Sequence, residues 1–186
     1  VLPAGTQVDY TVTWLEMTAR PTYAYPALPA THPASLLKAE AAPNWYFLSL
    51  YDAVGRDYAW EDAHDRDPGE LQGWLDDAAF DLFTLMAHGG PHGFFILDGR
   101  EEKACELAYF GLVPQAIGKG LGAFILRTAI LTAWDRPGVE RLAVNTCTLD
   151  HPRALQTYQR HGFAPVRRQD FTRTLKRPRD LTRIPD

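Results

Sequence analysis

Three glycines at alternating positions, Gly118, Gly120 and Gly122, stand between an apolar run and an amphipathic run, and this spacing could bind phosphate. Glycines lack the side chains that would keep a ligand away from the backbone. A helix that begins here directs unpaired N–H groups and the positive end of its dipole toward the same place. The pattern therefore predicts a strand, a phosphate-binding loop and a helix, with a pyrophosphate as the expected ligand.

Two classes of site use such a loop, and the surrounding residues separate them. Residues 118–123 match the letters of the dinucleotide fingerprint, and Glu140 lies near the offset of a ribose-binding acid. In a dinucleotide-binding unit, however, the loop follows the first strand and the acid ends the next one. Here several strand-like segments precede the loop, and Glu140 comes before the next strand. The order of elements disfavours a nicotinamide or flavin site.

A second motif lies downstream, where residues 154–163 read Ala-Leu-Gln-Thr-Tyr-Gln-Arg-His-Gly-Phe. With the loop at 117–122, this segment resembles the GNAT superfamily of N-acetyltransferases. In that family a Gln/Arg-x-x-Gly-x-Gly/Ala loop holds the pyrophosphate of acetyl-CoA, and an Ala-x-x-x-Tyr-x-x-x-Gly-Phe helix carries a tyrosine beside the thioester. Two positions depart from the family pattern. Ile117 stands where Gln or Arg is usual, and His151 stands where Asn is common.

The resemblance, which is specific over about 104–165, implies an acetyl-CoA-dependent N-acetyltransferase that transfers the acetyl group directly to a primary amine. Tyr158 would donate a proton to the CoA sulfur. Glu106 matches the placement of the general-base glutamate in the histone-acetyltransferase branch, and His151 is an alternative base. The residues expected to bind acetyl-CoA are Leu112, Val113, Ile117, Gly118, Lys119, Gly120, Leu121, Gly122, Ala123 and His151.

Several functional alternatives stay open. The acceptor could be a small amine, an amino acid or a peptide amine, because a fold does not fix its substrate. A non-catalytic acyl-CoA-binding sensor is a second hypothesis, for which Ile117 is the only hint. Transfer of a longer acyl group, or transfer to a hydroxyl, would use the same loop. The histidines lack the spacing of a zinc site, so we expect no metal.

The elements that must position these residues follow from periodicity and turn residues. The resemblance implies an α/β (α+β) GNAT fold: a mixed, mostly antiparallel sheet of about seven strands with helices on both faces. Its fourth and fifth strands would splay apart, and the pantetheine arm would pair with backbone near 110–113. The predicted strands are 8–14, 81–88, 92–97, the strand carrying Glu106, and 141–148, followed by a final hairpin over 163–176. The predicted helices are 44–54, one starting after Asp67, one from the glycine loop to Trp134, and 151–161.

Bulk properties favour one globular domain over residues 1–186, since 46% of the 186 residues are apolar. We expect a cytoplasmic protein that does not interact with a membrane, because no segment looks like a membrane span or signal peptide.

Cys105 and Cys147 lie in apolar runs and are expected to be buried thiols. A proline-rich loop at 20–35 is expected to fold over the substrate side.

The net charge of −4 is unevenly distributed, because residues 165–186 are basic and the rest is acidic. The basic tail is interrupted by acids and lacks interleaved aromatics, so we expect no nucleic-acid partner. A homodimer is compatible with the sequence. An acidic rim could attract a cationic amine, or could simply be a solvated face. It is formed by Asp57, Glu61, Asp62, Asp65, Asp67 and Glu70.

Overall fold

A computed structural model describes residues 1–30 and 33–184, which form seven strands and four α-helices. The strands are β1 (Gln7–Met17), β2 (Ala34–Lys38), β3 (Phe80–Ala87), β4 (Gly90–Asp98), β5 (Ala104–Leu112), β6 (Arg141–Cys147) and β7 (Ala164–Thr174). The helices are α1 (Asn44–Gly55), α2 (Pro68–Leu75), α3 (Leu121–Trp134) and α4 (Ala154–Arg160). Helix α2 begins as its sequence predicts, because the Asp67 carboxylate accepts hydrogen bonds from the first-turn N–H groups and Pro68 takes the first helical position.

The strands form one sheet in the order β2-β3-β4-β5-β6-β1-β7. All neighbours run antiparallel except β5 and β6, which are parallel. These two strands pair only over 104–106 and 141–143, and beyond that point they diverge. The expected mostly antiparallel, splayed sheet is confirmed. The splay was expected between the fourth and fifth strands. These two strands are β5 and β6 of the structure, because the sequence did not predict β2, which precedes them.

Helices cover both faces of the sheet, as expected. Phe47 of α1 and Trp74 of α2 contact the ring of Tyr109 on one side, here called the α1/α2 face. Tyr158 of α4 contacts Phe110 on the opposite side, the α3/α4 face. Neighbouring residues of β5 therefore meet different helix pairs, and the gap beside β5 lies between the two layers.

A bulge in β5 determines which of its residues share a face. Strand β5 carries one extra residue, Ala108, between the partners of Ile96 and Leu97 on β4. Opposed residues of an antiparallel pair share a face, so an extra residue reverses the alternation from that point. As a result Glu106 and Tyr109 both point to the α1/α2 face, although they are three residues apart.

Two predictions about irregular segments were wrong. The segment 163–176 is not a hairpin, because β7 is one strand that pairs with β1 along its whole length. The proline-rich segment does not cover the substrate side: Tyr23 contacts Arg127 of α3, and Tyr25 donates a hydrogen bond to Asp135 at the end of the same helix. Its last part, from Ala34, is strand β2. Residues 31 and 32 of that predicted loop lie outside the described residues.

The acidic rim and the basic tail, which the sequence separates, pack against each other. The pairs are Asp57 with Arg183, Glu61 with Arg173 and the N–H groups of Lys176 and Arg177, Asp62 with Arg173, and Asp65 with Lys176. We call this set of contacts the C-terminal clasp. The rim is therefore largely neutralised by the tail, and it does not act as a row of unpaired acids facing substrate.

We expect Arg179 to contribute strongly to stability. It is 7% exposed, and its guanidinium donates to the carbonyl oxygens of Asp57 (3.2 Å) and Leu149 (2.7 Å). Arg179→Met leaves both carbonyls without this donor, so the free energy of unfolding should fall by about 2 kcal/mol in urea denaturation. Arg177→Met, in the same segment, removes a more exposed pair with Asp52 and should cost less than about 1 kcal/mol. Equal losses for the two variants would contradict this prediction.

Candidate active site

The gap between β5 and β6 opens into a cleft of about 800 Å³ that reaches both faces of the sheet. On its β6 side, β5 has no strand partner after residue 106 within the described chain. The unpaired edge presents N–H and C=O groups of residues 107–112 to the cleft, and such an edge can pair with another extended chain. This is the place where the sequence predicts the pantetheine arm.

The glycine loop closes one end of the cleft. Gly118 and Gly120 have φ angles of 78° and 76°, a conformation that favours glycine. Helix α3 starts directly after Gly120, and no side chain caps its first turn. Its N-terminal N–H groups are therefore available to an anion. Ile117, Gly118, Gly120, Gly122 and Ala123 all line the cleft, together with Leu112.

Three of the residues expected to bind acetyl-CoA are not among those that line the cleft. Val113 is buried, and its N–H donates to the carbonyl of His92, so it is directed away from the cleft. Leu121 is 1% exposed and belongs to the hydrophobic core. Lys119 is not among the residues that line the cleft. The sequence motif marks the loop as a unit, but side chains within it alternate between cleft, core and solvent.

Tyr158 lines the cleft from the α3/α4 side. Its ring is fixed by edge contacts with Phe110 of β5 and Phe163, at centroid distances of 6.1 and 5.9 Å. Burial, and then the charge of Asp150, raises the pKa of the hydroxyl, so it stays protonated. Within the described chain the hydroxyl has no hydrogen-bond partner, and it is therefore available to a ligand in the cleft.

Glu106 lines the same cleft from the α1/α2 side. Burial and the nearby charge of Asp98 raise the pKa of its carboxyl group, while a hydrogen bond from Asn145 across the gap (3.3 Å) opposes that rise. A carboxylate with a raised pKa is a stronger base than an exposed one. The bulge at Ala108 brings Tyr109 to the same side as this carboxylate.

His151 lies at the start of the turn that leads into α4, and it also lines the cleft. Its Nδ1 accepts a hydrogen bond from the N–H of Arg153 at 3.1 Å, which leaves the proton of the neutral ring on Nε2. Burial and the charge of Arg153 lower the pKa of the ring, which favours this neutral form. The Nε2 atom is buried and has no partner in the described chain.

The cleft contains functional candidates that sequence reasoning missed. Arg153 and Arg160 line it on the α3/α4 side, both are exposed, and neither forms an ion pair within the described residues. Arg66 and Tyr109 line the other side. The two arginines near α4 flank the Tyr158 motif, which could have drawn attention to them. The positions of Arg66 and Tyr109 depend on long-range packing, so no local sequence pattern indicates them.

Asp150 holds the turn between β6 and α4 in place. Its carboxylate accepts hydrogen bonds from the Trp60 indole N–H (3.0 Å), the Thr146 hydroxyl (2.8 Å) and the Cys147 N–H (2.8 Å). The bond from Trp60 joins the segment between α1 and α2 to this turn. Both walls of the cleft are thus fixed to each other beside His151.

The two cysteines behave as poor nucleophiles. Burial raises the pKa of Cys147, which lines the cleft, to about 11, and that of Cys105 to about 12. Thiols with such pKa values are almost entirely protonated near neutral pH. Attack by a cysteine on a thioester in the cleft is therefore disfavoured.

Comparison with known proteins identifies the family. Residues 41–163 match the acetyltransferase (GNAT) family, and this match includes the glycine loop, Glu106 and Tyr158. The chain belongs to the GNAT family. A mycothiol acetyltransferase from Jonesia denitrificans is 38% identical over 71 residues, which are 38% of this chain and 22% of that protein.

Solved GNAT structures share the fold. A tandem GNAT protein from the clavulanic acid biosynthesis pathway aligns over 92% of this chain and 55% of its own, with a TM-score of 0.62 and 16% identity. A GNAT acetyltransferase from Elizabethkingia anophelis with acetyl-CoA bound aligns over 72% of this chain and 78% of its own, with a TM-score of 0.51 and 15% identity. This chain spans less than two thirds of both the tandem protein and the mycothiol acetyltransferase.

Across the described ranges 1–30 and 33–184, no helix combines the length and apolarity needed to cross a bilayer. The same residues contain no group of three or more His, Cys, Asp or Glu side chains that could hold a metal ion.

Proposed function

We infer that this GNAT protein is an acetyl-CoA-dependent N-acetyltransferase that transfers the acetyl group directly to a primary amine. One observation carries the inference: Glu106 and Tyr158 lie on opposite faces of the sheet, yet both line the cleft that passes through the gap between β5 and β6. A base on one side and an acid on the other are what amine acetylation requires.

The donor half of the cleft suits acetyl-CoA. The N–H groups at the start of α3 would bind the pyrophosphate, and the free edge of β5 would pair with the amides of the pantetheine arm. Arg153 and Arg160 are placed to neutralise further phosphate charge. His151 offers a neutral N–H donor from its buried Nε2. These features compensate for the apolar Ile117 in the loop.

In the proposed reaction the amine nitrogen attacks the thioester carbonyl carbon, and the carbon–sulfur bond breaks. Glu106 accepts the proton that the amine loses, directly or through a water. Tyr158 donates its hydroxyl proton to the departing thiolate sulfur. Direct transfer is favoured over an acetylated enzyme because the raised pKa of Cys147 keeps the thiol in the cleft protonated.

The test is release of CoA thiol from acetyl-CoA in the presence of separate pools of small amines, amino acids and peptides. The proposed enzyme releases thiol only when an acceptor is present, and the N-acetylated product appears in equal amount by mass spectrometry. Tight acetyl-CoA binding without release from any pool would support the alternative, a non-catalytic acyl-CoA sensor.

We expect substitutions of two neighbours of Glu106 to shift the pH dependence of kcat/KM in opposite directions. Rates should rise with pH as Glu106 loses its proton. Asn145→Ala removes the hydrogen bond that lowers the pKa of Glu106, so the acid limb of kcat/KM should move to higher pH. Asp98→Asn removes a charge that raises this pKa, so the limb should move to lower pH.

The measurement is a pH–rate profile with a single amine, so that ionisation of the acceptor is common to all variants. Asp9→Asn, at a carboxylate outside the cleft that pairs with Thr172, serves as the control and should leave the limb in place. Shifts of the same sign in the two test variants would exclude Glu106 as the titrating base.

A further inference from the structure

Two charged groups on the α1/α2 side of the cleft have no ion-pair partner among residues 1–30 and 33–184. Of the ionisable residues there, Asp98 pairs with Arg100 (2.6 Å) and Asp62 pairs with Arg173 (3.0 Å). One is Glu106, whose carboxylate accepts a hydrogen bond from the neutral Asn145 and no other within the part of the chain that the structure describes. The other is the guanidinium of Arg66.

Arg66 forms no ion pair within the described residues, although acids surround it in sequence. Its guanidinium lies over the ring of Trp74, with the Cζ atom 4.8 Å from the ring centroid. Stacking on an aromatic ring holds the guanidinium plane in place and leaves its N–H edge open. An arginine held in this way at a cleft is suited to bind a carboxylate or another planar anion in a bidentate manner.

The two unpaired charges act on the same part of the cleft. Tyr109 has a hydroxyl with no hydrogen-bond partner in the described chain. Burial raises its pKa, the cation of Arg66 opposes that rise, and the charges of Asp62 and Glu106 add to it. The geometry agrees, because the Trp74 ring that carries Arg66 lies 6.0 Å from the Tyr109 ring, and Glu106 faces the same side of the sheet as Tyr109. Arg66, Tyr109 and Glu106 therefore line the same side of the cleft.

We propose that the acceptor is a primary amine that also carries an anionic group, as amino acids and short peptides with a free carboxylate do. Arg66 binds the anionic group, and Glu106 receives the proton of the amine. The Tyr109 hydroxyl donates a hydrogen bond to the part of the acceptor that links the amine to the anionic group. The aromatic walls formed by Trp60 and Trp74 pack against its apolar portion. This assignment rests on the proposed function, which it extends to a substrate class.

The experiment compares acids with their uncharged amides. L-Phenylalanine and its amide, and glycylphenylalanine and its amide, place the carboxylate at two distances from the amine. Binding of each to the CoA-saturated protein is measured by calorimetry for wild type, Arg66→Gln and Arg127→Gln. Arg127 is a matched control, because it also stacks on an aromatic ring (Tyr23, 5.0 Å) and has no ion pair within the described residues, but lies outside the cleft.

We expect at least one acid to bind about ten-fold more tightly than its amide, the size of effect typical of a charge-assisted hydrogen bond. Arg66→Gln should abolish this preference, and Arg127→Gln should preserve it. Equal binding of acid and amide, no binding of either pair, or a preference that survives Arg66→Gln would overturn the proposal.

Thiol release with the same four compounds separates this proposal from the proposed function. Acetylation of acid and amide at equal rates, without a binding preference, would leave the N-acetyltransferase standing and remove the role of Arg66. A binding preference for the acid that depends on Arg66, without thiol release from any compound, would support the role of Arg66 and contradict the N-acetyltransferase. Thermal melting of both variants should match wild type, since neither arginine forms an ion pair in the described chain.

Discussion

Replacing Tyr158 by phenylalanine is expected to lower kcat about a hundred-fold while acetyl-CoA binding stays unchanged. Loss of a positioned general acid typically costs a factor of this size or more. The aromatic contacts with Phe110 and Phe163 are kept in the variant, so the shape of the cleft should not change. Steady-state kinetics and calorimetric titration with acetyl-CoA measure the two effects separately.

Stability distinguishes a catalytic from a structural role for this hydroxyl. Because it faces the cleft and has no hydrogen-bond partner in the described chain, removing it should leave the melting temperature close to that of wild type. Tyr58→Phe is the matched control, since Tyr58 is also buried and lines the cleft. A Tyr158→Phe variant with full kcat would remove this residue from the proposed mechanism.

The second large effect is expected for Glu106→Gln. Glutamine keeps the size of the side chain but cannot accept the proton of the amine, so kcat/KM should fall by about a hundred-fold or more near neutral pH. The limb of the pH–rate profile that reports Glu106 should disappear. Kinetics over a pH series with one amine provides both readouts.

A matched glutamate and an alternative base complete this test. Glu140→Gln changes an exposed carboxylate that pairs with Lys103 outside the cleft, and it should behave like wild type. If Glu106→Gln remains active and His151→Gln does not, the proton acceptor is His151. Its Nδ1 would then have to give up the Arg153 N–H in order to accept the proton, since Nε2 already carries the proton of the neutral ring.

The sequence predicted the parts of the site that depend on local patterns. The glycine loop, the start of α3 and the helix that carries Tyr158 are short motifs whose geometry follows from neighbouring residues. The family resemblance that these motifs carry also implied the splayed sheet, which the structure confirms. The cap at Asp67 is likewise local, and it forms as expected.

What the sequence could not reveal depends on contacts between distant segments. Strand β2 is short, largely exposed and lies at a sheet edge, so it carries little periodicity, and it forms because it pairs with β3. The predicted hairpin does not form because β1, from the opposite end of the chain, offers β7 an antiparallel partner along the whole segment. The C-terminal clasp neutralises an acidic rim whose charges looked unpaired.

The bulge at Ala108 divides β5 into two halves. Even-numbered residues such as Glu106 face the α1/α2 side before the bulge, whereas odd-numbered residues such as Tyr109 face that side after it. Glu106 belongs to the first half and Tyr109 to the second, so an alignment that treats the strand as regular would assign one of them to the wrong side. Matching the β5 residues of this chain to those of a relative by their number of positions before the glycine loop therefore requires that the relative has the same bulge. Acceptor-side residues of relatives are better compared by their partners on β4.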